Sequence, residues 1–275
     1  MTTQTHSSVS SIQLKNIIVL GSGRSGTSML MGTLQNLGYS MGRNLYESSV
    51  SNPKGYFESW DINGINEEII AENIPSRPRW IGDWLFRHRP ELGQRWLAQI
   101  PLKQTLCCSA ELQNKIKRVT ANQPFCFKDT RFSYTLPLWR PFLGEAKFIC
   151  VFRDPATTVT SILKDCRDSA YLQTLRVTPK DAFKVWALTY QHILKNHRHE
   201  GDWLFIHYDQ MLTQEGITRL ELFLGHSVQH DFVDHKLKRS KPIHKVPANA
   251  VILYNELCHL SNYSASSITE ELISS

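Results

Sequence analysis

Ile17-Ile18-Val19-Leu20-Gly21-Ser22-Gly23-Arg24-Ser25-Gly26-Thr27-Ser28 is the stretch on which the fold of this 275-residue chain turns. Four apolar residues suited to a buried strand run into a glycine- and hydroxyl-rich turn. An apolar stripe at Leu30, Leu34 and Leu37 then predicts a helix over Gly26–Leu37, ended by Gly38. A strand, a tight turn and a helix start together aim backbone N–H groups and the helix dipole at one anion, the geometry of a phosphate cradle. Gly21, Gly26 and Ser28 keep P-loop spacing, but Thr27 stands where that pattern has lysine. The positive charge sits instead at Arg24, inside the turn.

Length and composition suit a single α/β domain over 16–275, with 1–15 as a disordered tail. An apolar fraction of 41% supports a packed core, and no uninterrupted apolar run approaches membrane-spanning length. Met1 to Gln13 is polar and rich in Ser and Thr, which reads as a tail rather than a secretory signal. The six cysteines form no C-x-x-C pair, and Cys126 and Cys150 lie inside apolar runs. A reducing, cytoplasmic compartment is expected from that usage. The formal charge of +6 comes without a long Lys/Arg block, zinc-ligand spacing or nucleic-acid motif. A small, highly charged anion, and not nucleic acid, is therefore the expected partner.

Working outward, strands are predicted at Ile17–Leu20, Phe125–Phe127, Phe148–Phe152 and Trp203–His207, with a weaker one near Tyr39–Met41. They alternate with helices at Gly26–Leu37, Ala156–Lys164 and Asp181–His197, and a last helix is expected near Ala250–Leu260. That alternation predicts a P-loop-type, mostly parallel sheet flanked by helices. Ligands bind such sheets beyond the carboxyl ends of the strands, where Gly21–Ser28, Lys128 and Arg153 fall. Residues 43–123 fit the alternation poorly and read as a helical and irregular cap inserted after the first βα unit. Its aromatics Tyr56, Phe57, Trp60, Trp80 and Trp84 are candidates for an acceptor pocket or an adenine stack, with core packing as the alternative. The spacing His192-x4-His197-x-His199 suggests metal ligands, but a polar helix end beside Lys195 and Arg198 explains it better.

A second motif sharpens the reading. Phe148-Ile149-Cys150-Val151-Phe152-Arg153-Asp154-Pro155 is an apolar strand with Arg at its end and Pro placed to open a helix. Ser161 follows two helical turns in, so a guanidinium fork and a hydroxyl can share one phosphate. The pairing of Gly-x-Gly-Arg-Ser-Gly-Thr-Ser with Phe-Arg-Asp-Pro-x5-Ser resembles the two cofactor motifs of the sulfotransferases. Those enzymes use 3′-phosphoadenosine 5′-phosphosulfate (PAPS) and release adenosine 3′,5′-bisphosphate. Asn52-Pro53-Lys54-Gly55-Tyr56-Phe57-Glu58 and Lys128-Asp129-Thr130-Arg131 resemble segments of bacterial members of the superfamily. The likeness runs in order from residue 16 to 165, and more loosely over Lys236–Ser240.

The resemblance implies that Gly23, Arg24, Ser25, Gly26, Thr27 and Ser28 hold the 5′-phosphosulfate, and that Arg153 and Ser161 hold the 3′-phosphate. Lys238 and Arg239 are candidates to close over the nucleotide. It implies a metal-free transfer in which Arg24 and Lys128 meet the charge that builds on the leaving group. The acceptor's proton needs a base. Where the cytosolic branch has a histidine after Lys-Thr, this chain reads Lys128-Asp129-Thr130-Arg131, with none. Glu58 is the first choice, Glu47 and Asp129 are alternatives, and Asp61 stands behind them. A small-molecule or lipid-linked acceptor is expected. The rival readings are a P-loop kinase or NTPase, with Asp154 or Asp209 as the metal-binding acid, and a non-catalytic nucleotide-binding protein.

Overall fold

Alternation along β1 (Asn16–Leu20) sorts its side chains onto two faces, and both faces are buried. In the computed structural model, which describes residues 14–46, 55–78, 80–229 and 242–264, three further strands lie beside it. They are β2 (Cys126–Lys128), β3 (Ala146–Phe152) and β4 (Asp202–His207). The order is β2-β1-β3-β4, and every pairing is parallel. Ile17 and Val19 join Cys126, Ile149, Val151 and Ile206 in one apolar cluster. Ile18 and Leu20 join Phe127, Cys150, Phe152 and Phe205 in the other. Near-continuous apolar strands are what a sheet covered on both faces requires.

The helices supply those covers. On the first face lie α1 (Thr27–Thr33), through Leu30 and Met31, and α8 (Gln214–Leu224), through Ile217 and Leu220. The cap carries α2 (Trp60–Asn73), α3 (Gly82–Leu85) and α4 (Ala110–Val119). The second cluster draws on α2 and α4, and on α5 (Phe132–Trp139), α6 (Pro155–Asp168), α7 (Pro179–His192) and α9 (Ala248–Ser261). Local chemistry fixes several starts. Ser59 caps α2, the Thr178–Asp181 capping box opens α7, and Asp154 Oδ1 accepts from Thr157 N at 2.7 Å with Pro155 next in line.

From its carboxyl end β1 connects to β2 on one side, whereas its other neighbour, β3, connects to β4 on the opposite side. A crevice opens at such a reversal, and the Gly21–Ser28 turn occupies it. Two expected elements differ. The helix after the turn stops at Thr33 instead of Leu37, because Asn36 takes a left-handed φ of 65° and the chain leaves the helical path. Tyr39–Met41 forms only an isolated bridge, Ser40 to Phe125. The expected tail over 1–13 lies outside the described residues.

Candidate active site

The turn is tied to the sheet before any ligand is considered. Ser25 Oγ donates to Ser22 O at 2.6 Å and is 3.2 Å from Val151 O, the backbone of the neighbouring strand. Tyr190 of α7, fully buried, donates to Val151 O at 3.0 Å and accepts from Ser22 N at 3.2 Å. Three positions need glycine; at Gly21, with φ 147°, a Cβ would lie 2.1 Å from Val151 O. Gly26 has φ 102°, and a Cβ there would sit 2.4 Å from the Tyr208 ring; a Cβ on Gly23 would sit 2.5 Å from the Trp96 ring. Arg24 itself holds a left-handed φ of 68°, a conformation that costs a non-glycine residue about 1 kcal/mol.

On the β2 side of the turn, buried Lys128 and partly buried Glu58 form an ion pair. The Lys128 ammonium, at the carboxyl end of β2, donates to Glu58 Oε1, to Ser28 Oγ at 3.1 Å and to Tyr56 O at 3.1 Å. Glu58 Oε2 accepts from Asn63 Nδ2 of α2 at 2.7 Å. Burial alone would raise the Glu58 carboxyl, but the Lys128 charge and the two hydrogen bonds outweigh it and hold the group below its ordinary 4.5. Phe57 adopts φ 52° beside it, its ring buried in the first cluster while Glu58 meets the lysine. That strained residue marks a place where the surroundings dictate the backbone.

On the α6 side stand Arg153 and Ser161, both buried. The Arg153 guanidinium lies 4.3 Å over the Tyr208 ring, the same ring that contacts Gly26. Its Nη2 is buried and has no hydrogen-bond partner among the described residues. Burial pulls this guanidinium below its ordinary value. Arg24 reaches across to the same side, with Nε 3.2 Å from Ser161 Oγ and Nη1 3.8 Å from Asp165 Oδ2. Arg24 therefore bridges the turn to α6. One crevice thus has an acid–base pair at one end and a cationic pocket at the other, with the backbone turn between.

Other expected site residues fall elsewhere. Asp129 is buried and accepts from Arg131 N at 2.9 Å, Arg131 Nη1 at 3.0 Å and Asn66 Nδ2 at 2.9 Å, so its oxygens serve an internal network. Burial would depress Arg131, but Asp129 and Glu67 beside it carry it above its ordinary value. Asp61 is partly exposed in the first turn of α2. Asp154 is spent as the α6 cap, and Asp209 accepts from Tyr263 at 3.2 Å. His192 and His197 do not form a polar helix end: both are buried and bonded to the Ile100 and Ser133 carbonyls at 3.0 and 2.9 Å. Nor do Trp60, Trp80 and Trp84 pack in the core; all three are exposed. Glu47, Lys238 and Arg239 lie outside the described residues.

Trp96, Tyr208, Asn63 and Glu67 are contributors that sequence reading passed over. Glu67 receives Arg131, Gly93 N at 3.0 Å and Arg95 Nη1 at 2.9 Å, and so fixes the turn that carries Trp96 against Gly23. The signal available for Trp96 and Tyr208 was the pair of glycines at 23 and 26, which leaves room for bulky neighbours without saying which.

Comparison with known proteins bears on the family and the fold. The family model described as "Sulfotransferase family" matches residues 16–229. The sulfotransferase domain from the curacin biosynthetic pathway superimposes with a TM-score of 0.50 at 16% identity, over 92% of this chain and 100% of that domain. The sulfotransferase domain from the Synechococcus PCC 7002 olefin synthase gives 0.49 at 16% identity, over 92% and 97%. At such identity the likeness to the curacin domain is one of fold. No curated protein matches the chain in sequence.

Proposed function

The chain belongs to the sulfotransferase family, and from that premise we propose that it moves a sulfuryl group from PAPS to a hydroxyl or amine of a small-molecule or lipid-linked acceptor. The observation that carries the donor assignment is the buried Arg153 Nη2 with its hydrogen-bonding capacity unspent, one aromatic ring from the phosphate turn. A buried guanidinium N–H left without an acceptor is costly, and an anion such as a 3′-phosphate would satisfy it. Backbone N–H groups of the Gly23–Ser28 turn and the Ser28 hydroxyl would hold the 5′ end. The two clusters thus fit a nucleotide carrying phosphate at both positions.

Bound there, the donor supplies an activated sulfuryl group on a phosphate leaving group. Lys128, which bonds Ser28, would turn its ammonium toward the bridging oxygen, where charge develops. Doing so releases Glu58. Freed from the lysine, its carboxyl rises toward the ordinary range and becomes a better base for the acceptor proton at Oε1, while Asn63 keeps Oε2 oriented. Arg24 is joined to Ser161 and Asp165, so its contribution to the phosphosulfate end requires it to leave them.

Incubation with radiolabelled PAPS and a panel of alcohols, phenols, sugars and amines tests the assignment. Label should pass to at least one acceptor, and Glu58→Gln should slow that transfer about 100-fold or more. Binding of the nucleotide without transfer to any class would favour a non-catalytic role.

A further inference from the structure

Residues 77–89 read Arg-Pro-Arg-Trp-Ile-Gly-Asp-Trp-Leu-Phe-Arg-His-Arg, four arginines and a histidine against one acid. Four apolar members of this run face outward. Trp80 is 97% exposed and Trp84 81%, with Ile81 and Leu85 exposed beside them. Trp139 and Trp186, by contrast, are fully buried. Contiguous exposed apolar surface of this kind marks an interaction site more often than a solvated face.

The flank of this tip is basic. A cavity of about 480 Å³ lies against it, lined by Trp84, Leu85, Arg87, His88, Arg176, Thr178 and Asp181. Arg87 donates to the Gln173 and Thr174 carbonyls at 2.8 and 3.2 Å, and Arg176 N returns a bond to Arg87 O at 2.7 Å. Those bonds brace the tip on the loop between α6 and α7 and leave the guanidinium charge in place. Of the nearby acids, Glu91 pairs with Arg77 at 3.2 Å, and Asp181 closes the α7 capping box by accepting from Thr178 N at 3.0 Å.

We propose that this tip docks the protein on an anionic lipid surface. The Trp80 and Trp84 indoles and Leu85 enter the headgroup layer, and Arg87, His88 and Arg176 meet the lipid phosphates. Indoles suit that boundary because each has an apolar body and one N–H donor, and clustered basic residues beside exposed aromatics give attraction to acidic lipids. The same segment continues to Trp96, so docking would bring the membrane to the cap side of the crevice. The inference stands apart from sulfuryl transfer.

Co-sedimentation with phosphatidylcholine vesicles, with and without about a quarter phosphatidylglycerol, tests it. The full chain should partition onto the anionic vesicles at least about tenfold more strongly than onto the neutral ones. The Trp80→Ser/Trp84→Ser protein should lose about tenfold of that partition. Arg87→Gln/Arg176→Gln should weaken binding and flatten its salt dependence. Trp80 and Trp84 are exposed, so the melting temperature of their variant should match the parent's. Because Arg87→Gln also removes two bracing bonds, Arg176→Gln alone, at an exposed residue, serves as the charge control. Equal partition onto both vesicle types would overturn the proposal, as would unchanged binding of the tryptophan variant, which would point to charge elsewhere. So would light scattering that shows a dimer abolished by the tryptophan changes and no vesicle binding.

Discussion

Lys128 donates to a carboxylate, a hydroxyl and a carbonyl at once, joining the turn at Ser28 to the Tyr56–Glu58 segment. Removing it leaves the partly buried Glu58 without its counter-charge, so Lys128→Ala should both slow transfer and lower the melting temperature. Lys128→Met, which keeps the volume, should slow transfer about as much. Turnover of either protein at the parental rate would remove Lys128 from the reaction. The Glu58 carboxyl is held below 4.5, so the base is already ionised at neutral pH. The acid limb of kcat/KM should therefore fall only below about pH 4.5. An acid limb centred near neutrality would assign the base to another group. A group whose folded pKa is depressed adds stability above its unfolded value and loses it as pH falls. Glu58 should thus also contribute to acid unfolding below that point.

At the scale of elements, the Gly23 contact makes a sharp prediction. A methyl group there meets the Trp96 ring at 2.5 Å, an overlap that costs about 1–3 kcal/mol unless the ring moves. Gly23→Ala should weaken nucleotide binding, and Gly23→Ala combined with Trp96→Ala should recover part of it. No recovery would show that Trp96 is not what limits the turn. The end of α7 gives another. His197 is buried, hydrogen-bonded to Ser133 O and pushed down to about 4, chiefly by burial. Its fold prefers the neutral ring, so that stability is complete above 6.5 and is lost as pH falls toward 4. The loss amounts to about 3 kcal/mol at most. Replacement by Gln should flatten the melting temperature between those pH values. A parental slope would place the acid sensitivity elsewhere.

Much of this was legible from short-range pattern. The runs at 17–20, 148–152 and 203–207 are apolar, bounded and long enough to become buried strands, and the strand ends carry the charged groups. What was not legible depends on contacts far apart in sequence. Nothing local shows that Glu58 and Lys128 pair, that Arg24 reaches Ser161, or that Asp129 turns inward to Arg131. Nor does periodicity reveal that Trp80 and Trp84 are exposed while Trp96 covers the turn, since all three lie in the irregular cap. The stop at Asn36 was hidden because an apolar stripe continues to Leu37 after the backbone has left the helix.

For the whole molecule, the account rests on one nucleotide spanning the turn and the Arg153 pocket. Isothermal titration with adenosine 3′,5′-bisphosphate and with adenosine 5′-phosphate, without magnesium, tests this most directly, in the parent and in Arg153→Ala. The parent should bind the bisphosphate at least about tenfold more tightly, and the substitution should remove that preference while leaving the monophosphate affinity nearly unchanged. Equal affinity of the parent for both nucleotides, or a preference that survives the loss of Arg153, would contradict it.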